Sequence, residues 1–200
     1  MKRTLKISLS ITIAILFLII ALFLCLKFFS GNVLKDKQVQ FSFYEPDYKT
    51  DILSDPEYLS LNRIVSYKNG PVMTTVLPQD YEKTDKILSF LVSYLDAAIK
   101  GDYSNYSDFF TEEYISENGI PEKFTMQRIY NITVEKLNEA SQNENGQTSN
   151  QFVYSLSYMI ARNDGTFRSD MESDALKPQY LVIKEISGEF YIDKILTNTY

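Results

Sequence analysis

Residues 152–161, FVYSLSYMIA, show the clearest strand pattern in the chain. Large apolar or aromatic residues occupy every second position, and smaller or more polar residues mostly stand between them. The positions that share one side are Phe152, Tyr154, Leu156, Tyr158 and Ile160. This period of two predicts a β-strand with one face directed toward a core.

Further strands are predicted on both sides of this one. Tyr130, Ile132 and Val134 alternate before it, and a polar stretch at 143–146 predicts an exposed turn. Asn163-Asp164-Gly165 predicts a hairpin into residues 166–172, and Ser187-Gly188 predicts a second hairpin that joins residues 180–186 to 189–196. These signals predict a meander of about four antiparallel strands.

Helical patterns precede the strands. Residues 80–101 carry apolar residues at spacings of three and four, with Asp80 as the expected N-cap and Gly101 as the expected stop. Two short helices are predicted at 103–110 and 112–118, capped by Asp102 and Thr111. Helices followed by strands predict an α+β fold, with the helices packed on one face of a curved antiparallel sheet.

A hairpin is predicted ahead of the long helix. Asn69-Gly70-Pro71 separates residues 62–68 from 72–77, two segments rich in branched and aromatic side chains. Asp55-Pro56-Glu57 resembles a helix start, although the residues after it alternate as a strand would. The turn residues favour the hairpin.

Residues 7–26 contain no charged side chain and are flanked by Lys6 and Lys27. A helix of this length spans about 30 Å, the thickness of the bilayer's hydrocarbon core. The basic start favours a cytoplasmic N-terminus. We therefore expect residues 1–6 in the cytoplasm, a transmembrane helix at 7–26, a stalk with an extended and hairpin region at 27–79, and an extracytoplasmic domain at 80–200.

Other interpretations of this segment fit less well. A cleaved signal peptide usually has a shorter apolar region and small residues before the cleavage site. A bacterial lipoprotein would have a small residue before the acylated cysteine, whereas Leu24 precedes Cys25. The location indicated is the cell membrane, with a single span. The composition also suggests a bacterial source.

Composition excludes several functions. The chain contains no histidine, which rules out Ser-His-Asp and Cys-His catalysis and the usual zinc sites, and Cys25 is its single cysteine. Residues 38–200 have 14 Lys and Arg against 25 Asp and Glu, a net charge of −11, while residues 1–37 carry +5. An acidic domain argues against a nucleic-acid partner, and no cofactor is expected.

The order of these elements resembles the NTF2-like superfamily over residues 80–196. The residues that carry the resemblance are 97–102 (AAIKGD) at the end of the long helix, Phe109-Phe110, and the closing segment 180–195 (YLVIKEISGEFYIDKI). With a membrane span in front, the chain resembles bitopic scaffold proteins of conjugative type IV secretion systems, notably Gram-positive transfer-channel proteins. Some of those carry two such domains, whereas this chain has room for one.

The resemblance implies a non-catalytic scaffold that self-associates and contacts other envelope proteins. An alternative is an extracytoplasmic sensor or small-ligand-binding domain, and an enzyme that uses the cone pocket is less favoured. For the pocket, candidate lining residues are Tyr154 and Tyr158, and an enzyme would add Asp96 or Asp193. The acidic run Asp170, Glu172 and Asp174 could bind a cation, but a solvated turn explains it better.

Exposed tyrosines are the candidates for an interface. The chain has 15 Tyr and 13 Phe, and tyrosine suits positions where one end of the side chain is buried and the other is wet. The tyrosines that lie near turns or segment ends are Tyr44, Tyr48, Tyr58, Tyr103 and Tyr106.

Overall fold

The computed structural model describes residues 41–77, 80, 83–144 and 147–196. The predicted membrane span at 7–26 and the first part of the predicted stalk lie outside these residues. Within the described part of the chain, no helix is both long enough and apolar enough to cross a membrane.

The described residues form three short or medium helices and six strands. The helices are α1 (Pro56–Leu59), α2 (Lys86–Lys100) and α3 (Glu112–Asn118), with 3-10 helices at Ile52–Ser54 and Tyr106–Phe109. The strands are β1 (Val65–Asn69), β2 (Val72–Val76), β3 (Arg128–Glu144), β4 (Gln147–Ala161), β5 (Gln179–Ile186) and β6 (Glu189–Leu196).

All six strands belong to one sheet, in the order β2-β1-β3-β4-β5-β6. Every neighbouring pair is antiparallel except β1 and β3, which run parallel. Register shifts in β3, between Tyr130 and Thr133 and between Lys136 and Asn138, mark bulges, and bulges bend a strand. The α+β class is confirmed, and the sheet with its few helices is consistent with a cone-like fold.

Helix α2 supplies one side of the core. Its buried residues are Ile87, Leu88, Leu91, Val92, Tyr94, Leu95, Ala97 and Ala98. The helix begins later than predicted, because the side chain of Asp85 accepts hydrogen bonds from the backbone N–H groups of Ile87 and Leu88 and so provides the cap expected from Asp80. At the other end Gly101 adopts the left-handed conformation, as predicted.

The predicted boundary between stalk and domain at residue 80 falls inside the folded unit. A compact unit begins at Phe41, and β1 of the predicted hairpin pairs with β3 in the main sheet. Ile52, Tyr58 and Val65 are buried, so this segment contributes to the domain's interior. The helix start at Asp55-Pro56-Glu57 and the strand-like alternation after it each correspond to an element of the structure. Asp55 caps the short helix α1, and strand β1 follows it.

Residues 162–178 form a loop, and the predicted strand at 166–172 is absent from this described segment. The reason is local hydrogen bonding by Asn163, whose Nδ2 donates to the carbonyl oxygens of Arg168 at 2.9 Å and Met171 at 2.8 Å. These bonds fold the chain back on itself instead of extending it into a hairpin arm. Phe167 and Met171 then enter the core.

Candidate interaction surface

The five candidate interface tyrosines divide into two groups. Tyr44, Tyr48 and Tyr103 are exposed, with 55%, 49% and 40% of their surface accessible to solvent. Tyr58 and Tyr106 are buried, with 0% and 3% accessible, so the expectation that they are exposed was wrong.

Hydrogen bonds and aromatic packing explain the burial of these two residues. The hydroxyl of Tyr58 donates to the backbone carbonyl of Ile129 at 3.0 Å, which ties α1 to the start of β3. The hydroxyl of Tyr106 donates to that of Tyr94 at 2.9 Å, and its ring packs edge-on against Phe110 and Phe124. A buried tyrosine with a satisfied hydroxyl is a core residue, however close it lies to a segment end.

Tyr48 and Tyr103 meet at the surface around Lys123. The Lys123 Nζ lies 4.2 Å from the centroid of the Tyr48 ring and 5.9 Å from the centroid of the Tyr103 ring. Tyr103 also packs edge-on against the buried Phe124. We call these three residues the Tyr48–Lys123–Tyr103 cluster. It holds two partly exposed aromatic rings beside a cation, with one ring supported by the core.

The interior contains a hydrogen-bonded polar network. The buried Arg168 donates from Nη1 to the hydroxyl of Tyr158 at 3.1 Å, and Tyr158 donates to Oε1 of Gln179 at 3.1 Å. The same guanidinium pairs with both carboxylate oxygens of Asp170. Asp170 also forms an ion pair with Lys177, whose Nζ lies 2.9 Å from Oδ2. Each of these charged groups therefore has a partner of opposite sign.

The pKa values in this network follow from burial and from the ion pairs. Burial raises the pKa of Tyr158, and the neighbouring Arg168 lowers it in part. Burial alone would raise the pKa of Asp170, but the hydrogen bonds from Arg168 and Lys177 outweigh it and bring the pKa to about 2. Asp170 is thus ionised at neutral pH, and Tyr158 is protonated.

Tyr154 and Tyr158, the candidate pocket-lining residues, are packed in the core at 2% and 0% exposure. Aromatic rings occupy the space around this network: Tyr94, Tyr106, Phe110, Phe124 and Phe167 are all buried in one cluster. The interior is therefore occupied by the protein's own side chains.

A surface cleft of about 380 Å³ lies elsewhere, between residues 44–52, the start of β3 and the end of β4. Its charged and tyrosine lining residues are Tyr44, Glu45, Asp47, Arg128, Arg162 and Asp164. Both arginines are held by acids of the α1 region, Arg128 by Asp55 at 3.2 Å and Arg162 by Glu57 at 2.7 Å. The cleft offers both signs of charge in one place.

Three of the other acidic candidates, Asp96, Asp193 and Asp174, have protein partners. Asp96 pairs with Lys100 at 2.5 Å on the surface of α2, and the buried Asp193 pairs with Lys184 at 2.8 Å. Asp174 accepts a hydrogen bond of 2.8 Å from the hydroxyl of Tyr130. In the part of the chain that the structure describes, no group of three or more acidic or cysteine side chains is arranged to hold a metal ion.

Two residues that shape these sites, Lys123 and Arg168, were not identified from the sequence. Lys123 lies in an irregular segment, where no periodicity points to it. Arg168 stands two residues from Asp170, and opposite charges this close in sequence offered a weak signal for the ion pair that the loop brings together.

Fold and site together define an α+β domain in which the described residues form a core of packed aromatic and aliphatic side chains and an exposed aromatic cluster. No family model, curated protein or solved structure matches the chain.

Proposed function

We propose that the protein is a membrane-anchored, non-catalytic scaffold whose extracytoplasmic NTF2-like domain contacts itself and other envelope proteins, as in a conjugative or secretion channel. The membrane span rests on the uncharged residues 7–26 with their basic flank. The NTF2-like assignment rests on element order, to which the six-stranded sheet and its few helices conform.

The observation that carries the proposal is the filled interior. A ligand site in a cone needs an open cavity with a few convergent polar groups. Here the polar groups at the centre, Tyr158, Arg168 and Gln179, are bonded to one another, and aromatic rings surround them. These core side chains already bind one another and do not offer free groups to a ligand. We therefore look for the functional site on the outer surface of the domain.

The Tyr48–Lys123–Tyr103 cluster is the part of that surface best suited to a protein partner. Tyrosine is enriched at interfaces because its ring gives apolar contact area while its hydroxyl stays hydrogen-bonded. In this cluster, Lys123 lies over the Tyr48 ring and the buried Phe124 packs against the Tyr103 ring. These contacts already restrict both rings, which lowers the side-chain entropy that a partner's binding would cost.

A second candidate function is small-ligand binding at the cleft beside Tyr44. Its volume of about 380 Å³ is within the range of small-molecule sites, and its lining contains both arginines and carboxylates. This arrangement would favour a ligand that carries both charges. Under this alternative, small zwitterions would raise the melting temperature of the protein, and Arg162→Ala would remove the effect.

Crosslinking of the full chain in its own cells, followed by mass spectrometry, tests the scaffold proposal. The expected result is recovery of crosslinks between copies and to other membrane or envelope proteins. Recovery of the protein alone, with neither self-contacts nor envelope partners, would contradict it. Treatment of intact cells with protease tests topology, because residues 80–200 should be cleaved only if they lie outside the cytoplasm.

A further inference from the structure

Strand β2 forms one edge of the sheet, and among the described residues β1 is its only strand partner. At the opposite edge, the outer side of β6 is partly covered, because Phe110 bridges to Ile192 and the N–H of Thr111 donates to the carbonyl of Ile192 at 3.1 Å. Within the described residues, no backbone hydrogen bond reaches the outer side of β2. In that part of the chain its outward-facing N–H and C=O groups have no backbone partner, so a further strand can pair with them.

Among the described residues, strand β2 itself carries none of the charged side chains, prolines or bulges that usually protect an edge strand. Proteins normally protect an edge strand with charged side chains, proline, bulges or a covering segment. Residues 70–77 contain no charged side chain, and their one proline, Pro71, lies in the turn before β2. Within β2, Val72 and Met73 are 59% and 65% exposed. An exposed, uncharged edge strand is the kind of site at which proteins add a strand from a partner.

The hairpin fixes which backbone groups point outward. Asn69 and Val72 flank a two-residue turn that begins with Gly70 at φ +57°, so they form the hydrogen-bonded pair that closes the hairpin. Hydrogen-bonded and non-hydrogen-bonded pairs alternate along antiparallel strands. The N–H and C=O groups of Met73 and Thr75 are therefore the ones directed away from β1.

We propose that β2 pairs with β2 of a second copy of this chain, antiparallel, with Thr74 opposite Thr74. This register puts Met73 of each copy opposite Thr75 of the other, so all the outward groups of these residues are paired. It also puts Val72 beside Val76 of the second copy. The two six-stranded sheets would become one continuous sheet of twelve strands.

The sequence of the strand favours a second copy at this edge. Residues 72–76, VMTTV, are nearly symmetric about Thr74, so antiparallel pairing of two copies brings Val72 against Val76 on both sides of the pair. Residues 38–200 carry a net charge of −11, but residues 70–77 contain no charged side chain, so no like charges lie directly opposite each other in this pairing.

This inference goes beyond the proposed function, which does not say where copies meet. It is also independent of the Tyr48–Lys123–Tyr103 cluster, so either one can fail without the other.

Disulfide trapping tests the register directly. The full chain, with Cys25→Ser to remove its only cysteine, is given Thr74→Cys and oxidised in membranes with copper phenanthroline. Opposed Cα atoms in a non-hydrogen-bonded antiparallel pair lie about 4.5 Å apart, within disulfide range. The expected result is a disulfide-linked dimer on a non-reducing gel.

Val72→Cys in the same Cys25→Ser chain is the matched control. In the proposed register the two copies of residue 72 lie about 14 Å apart, too far for a disulfide. We expect at least about ten-fold less dimer from Val72→Cys than from Thr74→Cys, and the same for Leu176→Cys, which is 56% exposed in the loop at 162–178 and not part of β2. Absence of the Thr74→Cys dimer, or equal yields at all three positions, would overturn the pairing.

Opposite charges at the same position give a second readout. Thr74→Lys and Thr74→Glu should each abolish co-purification of differently tagged copies, since like charges directly opposite destabilise a strand pair. Mixing the two variants should restore it. If mixing restores nothing while the unsubstituted chain co-purifies, Thr74 does not face Thr74 and the register is wrong.

Discussion

The hydroxyl of Tyr158 on β4 lies 3.1 Å from the guanidinium Nη1 of Arg168, which stands in the loop after that strand. Both side chains are buried, and Asp170 neutralises the arginine. This contact anchors the 162–178 loop to the inner face of the sheet and occupies the centre of the fold. It is the main reason why we assign function to the outer surface of the domain.

Replacement of Tyr158 by phenylalanine should destabilise the protein. The change keeps the ring but removes the acceptor used by Arg168 and the donor to Gln179, and it leaves both of those buried groups short of a partner. The expected loss in the free energy of unfolding is about 1–3 kcal/mol. Urea denaturation measures it, with Tyr44→Phe, at an exposed tyrosine, as a control expected to stay within about 0.5 kcal/mol.

Asp170 should make stability depend on pH in the acid range. Its pKa is about 2 in the folded protein and about 3.9 in an unfolded chain, so the unfolded state binds the proton more tightly. The stabilisation by this carboxylate is therefore complete above about pH 4 and is lost as the pH falls toward 2. Asp170→Asn cannot titrate, so the stability difference between the two proteins should shrink over that interval.

Unfolding by urea at several pH values between 2 and 7 measures that difference. A constant difference across the whole range would show that the Arg168–Asp170 pair does not lower the pKa of Asp170.

The cap of α2 offers a test that separates structure from sequence pattern. Asp85→Ala removes two hydrogen bonds to backbone N–H groups, at 3.1 and 3.0 Å, and should lower the free energy of unfolding by about 1 kcal/mol. Asp80, the cap expected from the sequence, bonds to the exposed Lys83. Asp80→Ala should therefore change stability by less than about 0.5 kcal/mol. The reverse ranking in a thermal or urea unfolding experiment would contradict the observed helix start.

Gly101 should tolerate alanine less well than Gly70. Both residues have positive φ, which costs a non-glycine residue about 1 kcal/mol or more. A Cβ at Gly101 would also lie 3.0 Å from the backbone nitrogen of Met126, whereas a Cβ at Gly70 meets nothing within 4 Å. Gly101→Ala should therefore be the more destabilising variant in urea denaturation, and equal effects would argue against this close approach.

The fold class was predictable because its strongest signals are periodic. Residues 152–161 alternate between buried and half-buried positions as their pattern indicates, and α3 begins and ends where the capping residues Thr111 and Gly119 place it. Periodicity fails where side chains bond to the local backbone, as Asn163 does in the loop that replaced a predicted strand. It also gives no information about the parallel pairing of β1 with β3, which joins residues distant in sequence.

The site was predictable only in part, for a related reason. Tyr48 and Tyr103 were identified from their positions near segment ends, but the sequence could not show that Lys123 brings them together. Tyr58 and Tyr106 have similar local surroundings in the sequence, yet tertiary contacts with Ile129 and Tyr94 bury them. Exposure of an aromatic residue depends on the segments that fold over it, and those are seldom its neighbours in the chain.

Site-specific photocrosslinking in cells at Tyr48, compared with Leu176, tests the central claim most directly. The two positions are similarly exposed, at 49% and 56%, but only Tyr48 belongs to the aromatic cluster. A photoreactive phenylalanine analogue at Tyr48 should give adducts with another envelope protein or a second copy, identified by mass spectrometry, and the same analogue at Leu176 should give few. Equal yields at the two positions, or no adduct at Tyr48 in a folded protein, would contradict the assignment of this surface to a scaffold interface.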